Sequence, residues 1–107
     1  TMVKHISGKE LESLLSAGKP VVCDFWAAWC GPCRMLAPVF EELSKKYDGQ
    51  AVFVKVDIDE EENESVAIKY GISSIPNILA FKGGVPVDNH LGFAPAPVIE
   101  AFIKNNL

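Results

Sequence analysis

The sequence predicts an α/β fold in one domain, with a central mixed β-sheet flanked by helices on both faces. Three observations carry that expectation. The stretch Val21 to Pro38 passes from an apolar run of strand length, through a Cys-Gly-Pro-Cys turn, into helical periodicity. A second apolar run, Ala51 to Asp57, follows after a short connection, which makes a βαβ unit with parallel strands and a right-handed crossover. Two later strand-length runs flank Gly83-Gly84 and read as an antiparallel hairpin on a two-residue turn.

Taken in order, Val3 to Ile6 forms a short first strand. Ser7 and Glu10 have capping-box spacing, and Leu11, Leu14 and Leu15 mark the inner face of a helix ending near Gly18. Lys19-Pro20 stops it. Val21 to Ala27 is almost continuously apolar, as a central strand covered on both faces requires. Leu36, Val39, Phe40, Leu43 and Tyr47 then fall at helical spacing and extend the next helix to Asp48-Gly49, with Pro38 inside it as a predicted kink. Ala51 to Asp57 alternates as a buried strand. Asp59 to Glu62 puts negative charge at the start of a third helix, where the helix dipole favours it. Val66 and Tyr70 lie on that helix's inner face, and Gly71 ends it. The hairpin strands are Asn77 to Lys82 and Val85 to Leu91. Pro95 and Pro97 open a last helix whose apolar face carries Val98, Phe102 and Ile103. The order reads βαβαβ followed by ββα, a βαβαβββ-type order closed by a C-terminal helix.

Composition narrows the function classes. Residues 1–107 are expected to form one domain with a single core. Hydrophobic residues at 49% and charged residues at 22% read as soluble and globular rather than disordered. A net charge of −4 with no basic stripe argues against a nucleic-acid partner. No apolar run approaches the ~18 residues of a membrane span. No charged n-region precedes an apolar stretch at the N-terminus, so no secretory signal is expected. Thr1 ahead of Met2 is set aside as a cloning remnant. Three cysteines are too few for a disulfide scaffold, and a reducing compartment, the cytoplasm, is the expectation.

The chemistry gathers at the cysteine turn. Cys30 stands just ahead of a helix and Cys33 lies in its first turn, where free backbone N–H groups and the positive dipole end favour thiolate over thiol. Gly31 lets the backbone turn, and Pro32 presets φ where a missing N–H costs nothing. The pair reads as a dithiol that opens and closes as a disulfide. Half a zinc site is the competing reading. It lacks ligands, because only Cys23, His5 and His90 remain and none has a second paired spacing. Asp24 sits mid-strand among Val22, Cys23, Phe25 and Trp26, where a carboxylate is costly unless paired. It reads either as a hydrogen-bonded core acid or as a proton-transfer group. Lys55 could be a strand lysine snorkelling to solvent, Trp29 an exposed aromatic, and Cys23 a small buried hydrophobe.

The motif Trp29-Cys30-Gly31-Pro32-Cys33 after FWAA, the RMLAP that follows it, YGISSIPN at 70–77 and the hairpin glycine pair resemble the thioredoxin family in the right order over essentially the whole chain. The resemblance implies the thioredoxin fold and a small protein-disulfide reductase and electron donor. Its partner would be a thioredoxin reductase that carries the NADPH and FAD, with no cofactor or metal bound to this chain. Cys30 would be the nucleophile and Cys33 the resolving thiol, closing a Cys30–Cys33 bridge. Asp24 would accept and return the Cys33 proton, through water, and Lys55 would moderate Asp24. Ile75-Pro76 would be cis and pack against the cysteines. Trp29, Gly31, Pro32, Ile58, Ile75, Pro76 and Gly92 would form an apolar docking patch. Targets would be disulfide-containing proteins such as peroxiredoxins, met by a cytoplasmic monomer. Asn77 stands where threonine is usual, Ser74 where many members have glycine, and Phe93 where a small residue is common, all of which bear on substrate preference. An oxidase or isomerase of exported proteins is disfavoured by the Gly-Pro between the cysteines. A non-enzymatic interaction module would not need both cysteines, Asp24 and Ile75-Pro76 together.

Overall fold

The computed structural model describes residues 3–107; Met2 and Thr1, the latter read above as a cloning remnant, lie outside the described residues. Strands β1 (Val3–His5), β2 (Val21–Trp26), β3 (Val52–Asp57), β4 (Asn77–Lys82) and β5 (Val85–Leu91) form one sheet in the order β1-β3-β2-β4-β5. The first three are parallel to one another, β4 adds antiparallel to β2, and β5 adds antiparallel to β4, as expected of a mixed sheet. Helices α1 (Gly8–Ser16), α2 (Gly31–Lys46), α3 (Glu64–Lys69) and α4 (Ala96–Asn105) cover it. The full order is βαβαβαββα, so the shorthand order above omits α3.

Alternation along the strands divides the core into two layers. Val21, Cys23 and Phe25 of β2 pack with Leu11 and Leu15 of α1 and Val66 of α3. Val22 points the other way, toward Leu36, Phe40 and Leu43 of α2 and Ile99, Phe102 and Ile103 of α4. Asp24 shares the parity of Val22, so its carboxylate faces the layer that contains α2. No helix among the described residues is long and apolar enough to cross a membrane.

Local chemistry sets the element ends. Ser7 and Glu10 close the expected capping box: the Ser7 hydroxyl accepts from the Glu10 N–H at 3.1 Å, and the Glu10 carboxylate accepts from the Ser7 N–H at 3.0 Å. Gly8 lets α1 approach α3, since a Cβ there would lie 2.6 Å from Val66 Cγ1. β1 stops at His5, although the Ile6 N–H still donates to the Lys55 carbonyl at 2.9 Å. α2 ends at Lys46, short of the expected Asp48-Gly49, with Tyr47 as its cap, and Pro38 lies inside it. The third helix starts later than expected. Asp57 accepts the Asp59 N–H at 2.9 Å, and a 3₁₀ turn at Glu61–Asn63 precedes α3. In α4 the inner face is Ile99, Phe102 and Ile103, whereas Val98 is exposed. Adjacent apolar residues differ by about 100° around a helix, and packing on α2 selects the second of them.

Candidate active site

β2 delivers the chain into the cysteine turn from the centre of the sheet. Cys30 is the N-cap of α2, and its Sγ accepts the Cys33 N–H at 3.2 Å, which satisfies one of the helix's orphan donors. Cys30 and Cys33 are joined as a disulfide with their Cα atoms 5.2 Å apart. Both are covered, Cys33 at 1% exposure and Cys30 at 5%. They pack with Ala27 and against Trp26, Ile58 and Ile75, so two of the predicted docking residues meet the cysteines directly. Ile75-Pro76 is cis, as expected, and the Ile75 carbonyl oxygen lies 3.8 Å from Cys30 Sγ, within reach of a Cys30 thiol once the bridge opens. Gly92 is tied to the same loop, its N–H donating to the Pro76 carbonyl at 2.8 Å. Its φ of 82° lies where a side chain is strained, which accounts for glycine at that corner. Trp29 and Pro32 are exposed beside the bridge, and Gly31 is half-buried.

Beneath the turn, Asp24 is fully buried, and neither carboxylate oxygen has a hydrogen-bond partner within the protein. Its register partner on β3 is Lys55, on the same face of the sheet. Burial pushes the Asp24 carboxyl up and the nearby Lys55 ammonium partly opposes it, leaving it at about 7 against an ordinary 3.8. Lys55 does not snorkel freely. It is largely buried, with Nζ 4.5 Å from the centre of the Trp26 ring, a cation–π contact. Cys23 is fully buried in the opposite layer, and burial, with a smaller contribution from Asp24, pushes its thiol well above the usual range.

Three residues that sequence reasoning passed over support this arrangement. Trp26 holds Lys55 and is itself edged by His5, ring centres 5.5 Å apart. Arg34 Nη1 donates to the Ala28 carbonyl at 2.8 Å and braces the turn from the helix side. Asn63 Nδ2 donates to the Asp57 carbonyl at 2.8 Å while its Oδ1 accepts the Gly8 N–H at 2.7 Å, fastening the loop that carries Ile58 to α1. Among the described residues no group of three or more His, Cys, Asp or Glu side chains could hold a metal ion.

The arrangement is a bridged cysteine pair at a helix N-terminus, with a buried, unbonded acid on the central strand that leads into it. The family model for Thioredoxin matches residues 2–105. The chain belongs to the thioredoxin family. A thioredoxin of Staphylococcus epidermidis is 49% identical over 105 residues, covering 98% of each chain. A thioredoxin of Staphylococcus aureus is 48% identical over the same length and coverage. The solved structure of the Malassezia sympodialis thioredoxin Mala s 13 superimposes with a TM-score of 0.87 at 36% identity, covering 99% of this chain and 94% of that one. As a thioredoxin-family member with Cys30 and Cys33 at bonding distance, the chain is a protein-disulfide oxidoreductase. Membership also brings a reductase and disulfide-bearing targets as partners in general terms.

Proposed function

We propose that this chain reduces protein disulfides with Cys30 as nucleophile, Cys33 as resolving thiol and Asp24 as the group that takes and returns the resolving proton. The Cys30 thiolate attacks one sulfur of the target disulfide. A Cys30–target bond forms, and the second target sulfur leaves as a thiolate that takes up a proton. Cys33 gives its proton to the Asp24 carboxylate through water and attacks Cys30 Sγ. The Cys30–Cys33 bond forms, and the first target sulfur leaves and is protonated. The target gains two hydrogens and this chain loses them. A thioredoxin reductase then restores the dithiol with electrons from its own NADPH and FAD. Peroxiredoxin-like proteins would be among the targets, and the working unit would be a cytoplasmic monomer, in keeping with three cysteines of which one is an isolated buried thiol.

The observation that carries this reading is a buried, unpartnered Asp24 titrating near 7 on the sheet face that α2 and Cys33 cover. Such an acid exchanges a proton at neutral pH, whereas a hydrogen-bonded core acid does not. Docking would involve Trp29, Gly31, Pro32, Ile58, Ile75, Pro76 and Gly92, with Lys55 moderating Asp24 from the neighbouring strand. NADPH-linked insulin reduction with a thioredoxin reductase tests the activity. Cys33→Ser is expected to trap a target through Cys30, and Cys30→Ser to trap none. Equal trapping by both variants in mass spectrometry would overturn the division of roles.

A further inference from the structure

Asp24 and Lys55 are register partners on adjacent strands, so their side chains share one face of the sheet, and both are buried, at 0% and 9% exposure. Opposite charges placed this close and away from water ordinarily pair, because separation leaves both uncompensated. Here neither Asp24 oxygen receives a hydrogen bond, from Lys55 or from any other group in the protein. The ammonium goes instead to Trp26, with Nζ 4.5 Å from the ring centre. Trp26 follows Asp24 by two residues and lies on the same face, so ring and carboxylate are alternative destinations for one flexible lysine stem.

Two further observations favour the ring. The indole N–H is buried without an acceptor, so no hydrogen bond of its own sets the ring's plane. His5, the register partner of Lys55 on its other side, packs against the ring in a T-shaped contact, centres 5.5 Å apart and planes at 79°. Lys55 and Trp26 also line a crevice of about 190 Å³ whose walls carry Glu10, Asp57 and Glu60, and Asp24 does not line it. Those carboxylates draw the ammonium to the ring side. The remaining ionisable groups around Asp24 are neutral, bridged or distant. Cys33, on the helix covering this face, is bridged, and Tyr47 lies at the far end of the same helix. His90 on β5 stands beyond Ile78 in the same cross-sheet row, and Cys23 turns to the opposite layer. From α4 the layer receives only the apolar Ile99, Phe102 and Ile103.

We propose that Trp26 is a positioning residue: by holding the Lys55 ammonium over its ring, it keeps that charge from pairing with Asp24 and leaves the carboxylate free to take the Cys33 proton. The inference rests on the reductase reading above and adds to it how the acid is kept available. A carboxylate bonded directly to an ammonium stays ionised down to low pH and is a poor acceptor for a thiol proton. With the ammonium on the ring, Lys55 acts on Asp24 through space alone, which tempers the effect of burial without cancelling it.

The test follows the Asp24 carboxyl carbon by NMR through a pH titration of the oxidised protein, in which Cys33 is bridged and cannot titrate beside it. His5 and His90 are followed separately by their own ring resonances. Trp26→Leu removes the ring and is expected to lower the Asp24 midpoint by about one unit or more, as pairing with an ammonium requires. Trp26→Phe keeps a smaller and weaker face and should lower it in the same direction by less. Looser packing alone would admit water and lower the midpoint too, so both variants are repeated in a Lys55→Met background. There Trp26→Leu should leave the midpoint where Lys55→Met alone puts it. In NADPH-linked insulin reduction, the acid limb of the pH–rate profile should move down with the midpoint. A midpoint that neither variant lowers, or that falls as far in the Lys55→Met background, overturns the inference and leaves the reductase reading intact. A lowered midpoint with an unmoved pH–rate profile overturns the part given to Asp24 in the reaction, and the functional half of the inference with it.

Discussion

Asp24 and Asn63 are both polar, both nearly or fully buried, at 0% and 2% exposure, and they serve opposite purposes. Asn63 uses both ends of its amide, donating to the Asp57 carbonyl and accepting from the Gly8 N–H, and so joins two chain segments. Asp24, in the middle of the sheet, has no hydrogen bond at all. A satisfied buried group stabilises the fold and is chemically silent. An unsatisfied one destabilises whichever of its states is charged, and therefore changes state near neutral pH. Asn63 is held by its hydrogen bonds, whereas Asp24, left without any, is the group whose charge can change near neutral pH.

Removing the charge at Asp24 is the sharpest way to break the comparison. Its folded pKa, about 7, lies above the ordinary 3.8, so the folded state keeps a proton that the unfolded state has lost. Its contribution to stability is complete below the unfolded value and is lost as pH rises through the folded one. Asp24→Asn should match wild type near pH 4 and exceed it by about 4 kcal/mol at pH 8, the full value of a shift of that size. Its disulfide reduction at neutral pH should slow by about ten-fold to a hundred-fold, since Cys33 loses its proton acceptor. Urea denaturation at the two pH values and turnover on insulin check both halves. A variant less stable than wild type at pH 8 and equally active would make Asp24 a structural acid.

Asn63→Ala should do the reverse, costing about 3 kcal/mol by leaving the Gly8 N–H and the Asp57 carbonyl without partners. Its loss should vary little between pH 5 and 8, because no titrating group is removed, and thermal melts across that range read it out. Lys55→Met comes next in size. Methionine keeps an apolar stem over Trp26 but removes the cation, so the Asp24 pKa should climb further above 7 and the pH–rate profile should shift upward. An unmoved profile would mean that Lys55 does not moderate Asp24. The smallest effect belongs to Glu100 on the surface. Hydrogen bonds from Lys46, at 2.6 Å, and from Tyr47 hold its carboxyl below the usual range. That contribution is present above the unfolded pKa and fades as pH falls through the folded one. Glu100→Gln should therefore shift the melting temperature only slightly at pH 7, and less still at pH 3, in paired thermal melts.

The two buried groups were not equally visible in the sequence. Asp24 announces itself, because an acid inside an apolar run violates the strand's own pattern, and the cysteines, with two residues between them, are placed by the strand-to-helix switch. Asn63 sits just past Asp59 to Glu62, a run that reads as the charged start of a helix; its Gly8 partner lies 55 residues away, and nothing local signals the contact. The same limit applies to Val98 and Ile99, adjacent apolar residues whose inward member is chosen by α2. It applies also to Trp26, read as strand core, whose role under Lys55 depends on strand order. Periodicity and punctuation describe what a segment can do alone; the unread features are all choices made between segments.

Cys23 gives the experimenter a clock. Its thiol is sealed inside the central strand, and burial keeps it from ionising, so an alkylating reagent can reach it only when the sheet itself comes apart. In the oxidised protein Cys23 is also the sole free thiol, because the other two are bridged. The rate at which iodoacetamide labels oxidised protein under native conditions therefore counts openings of the whole sheet, one molecule at a time, with no probe attached and no denaturant added.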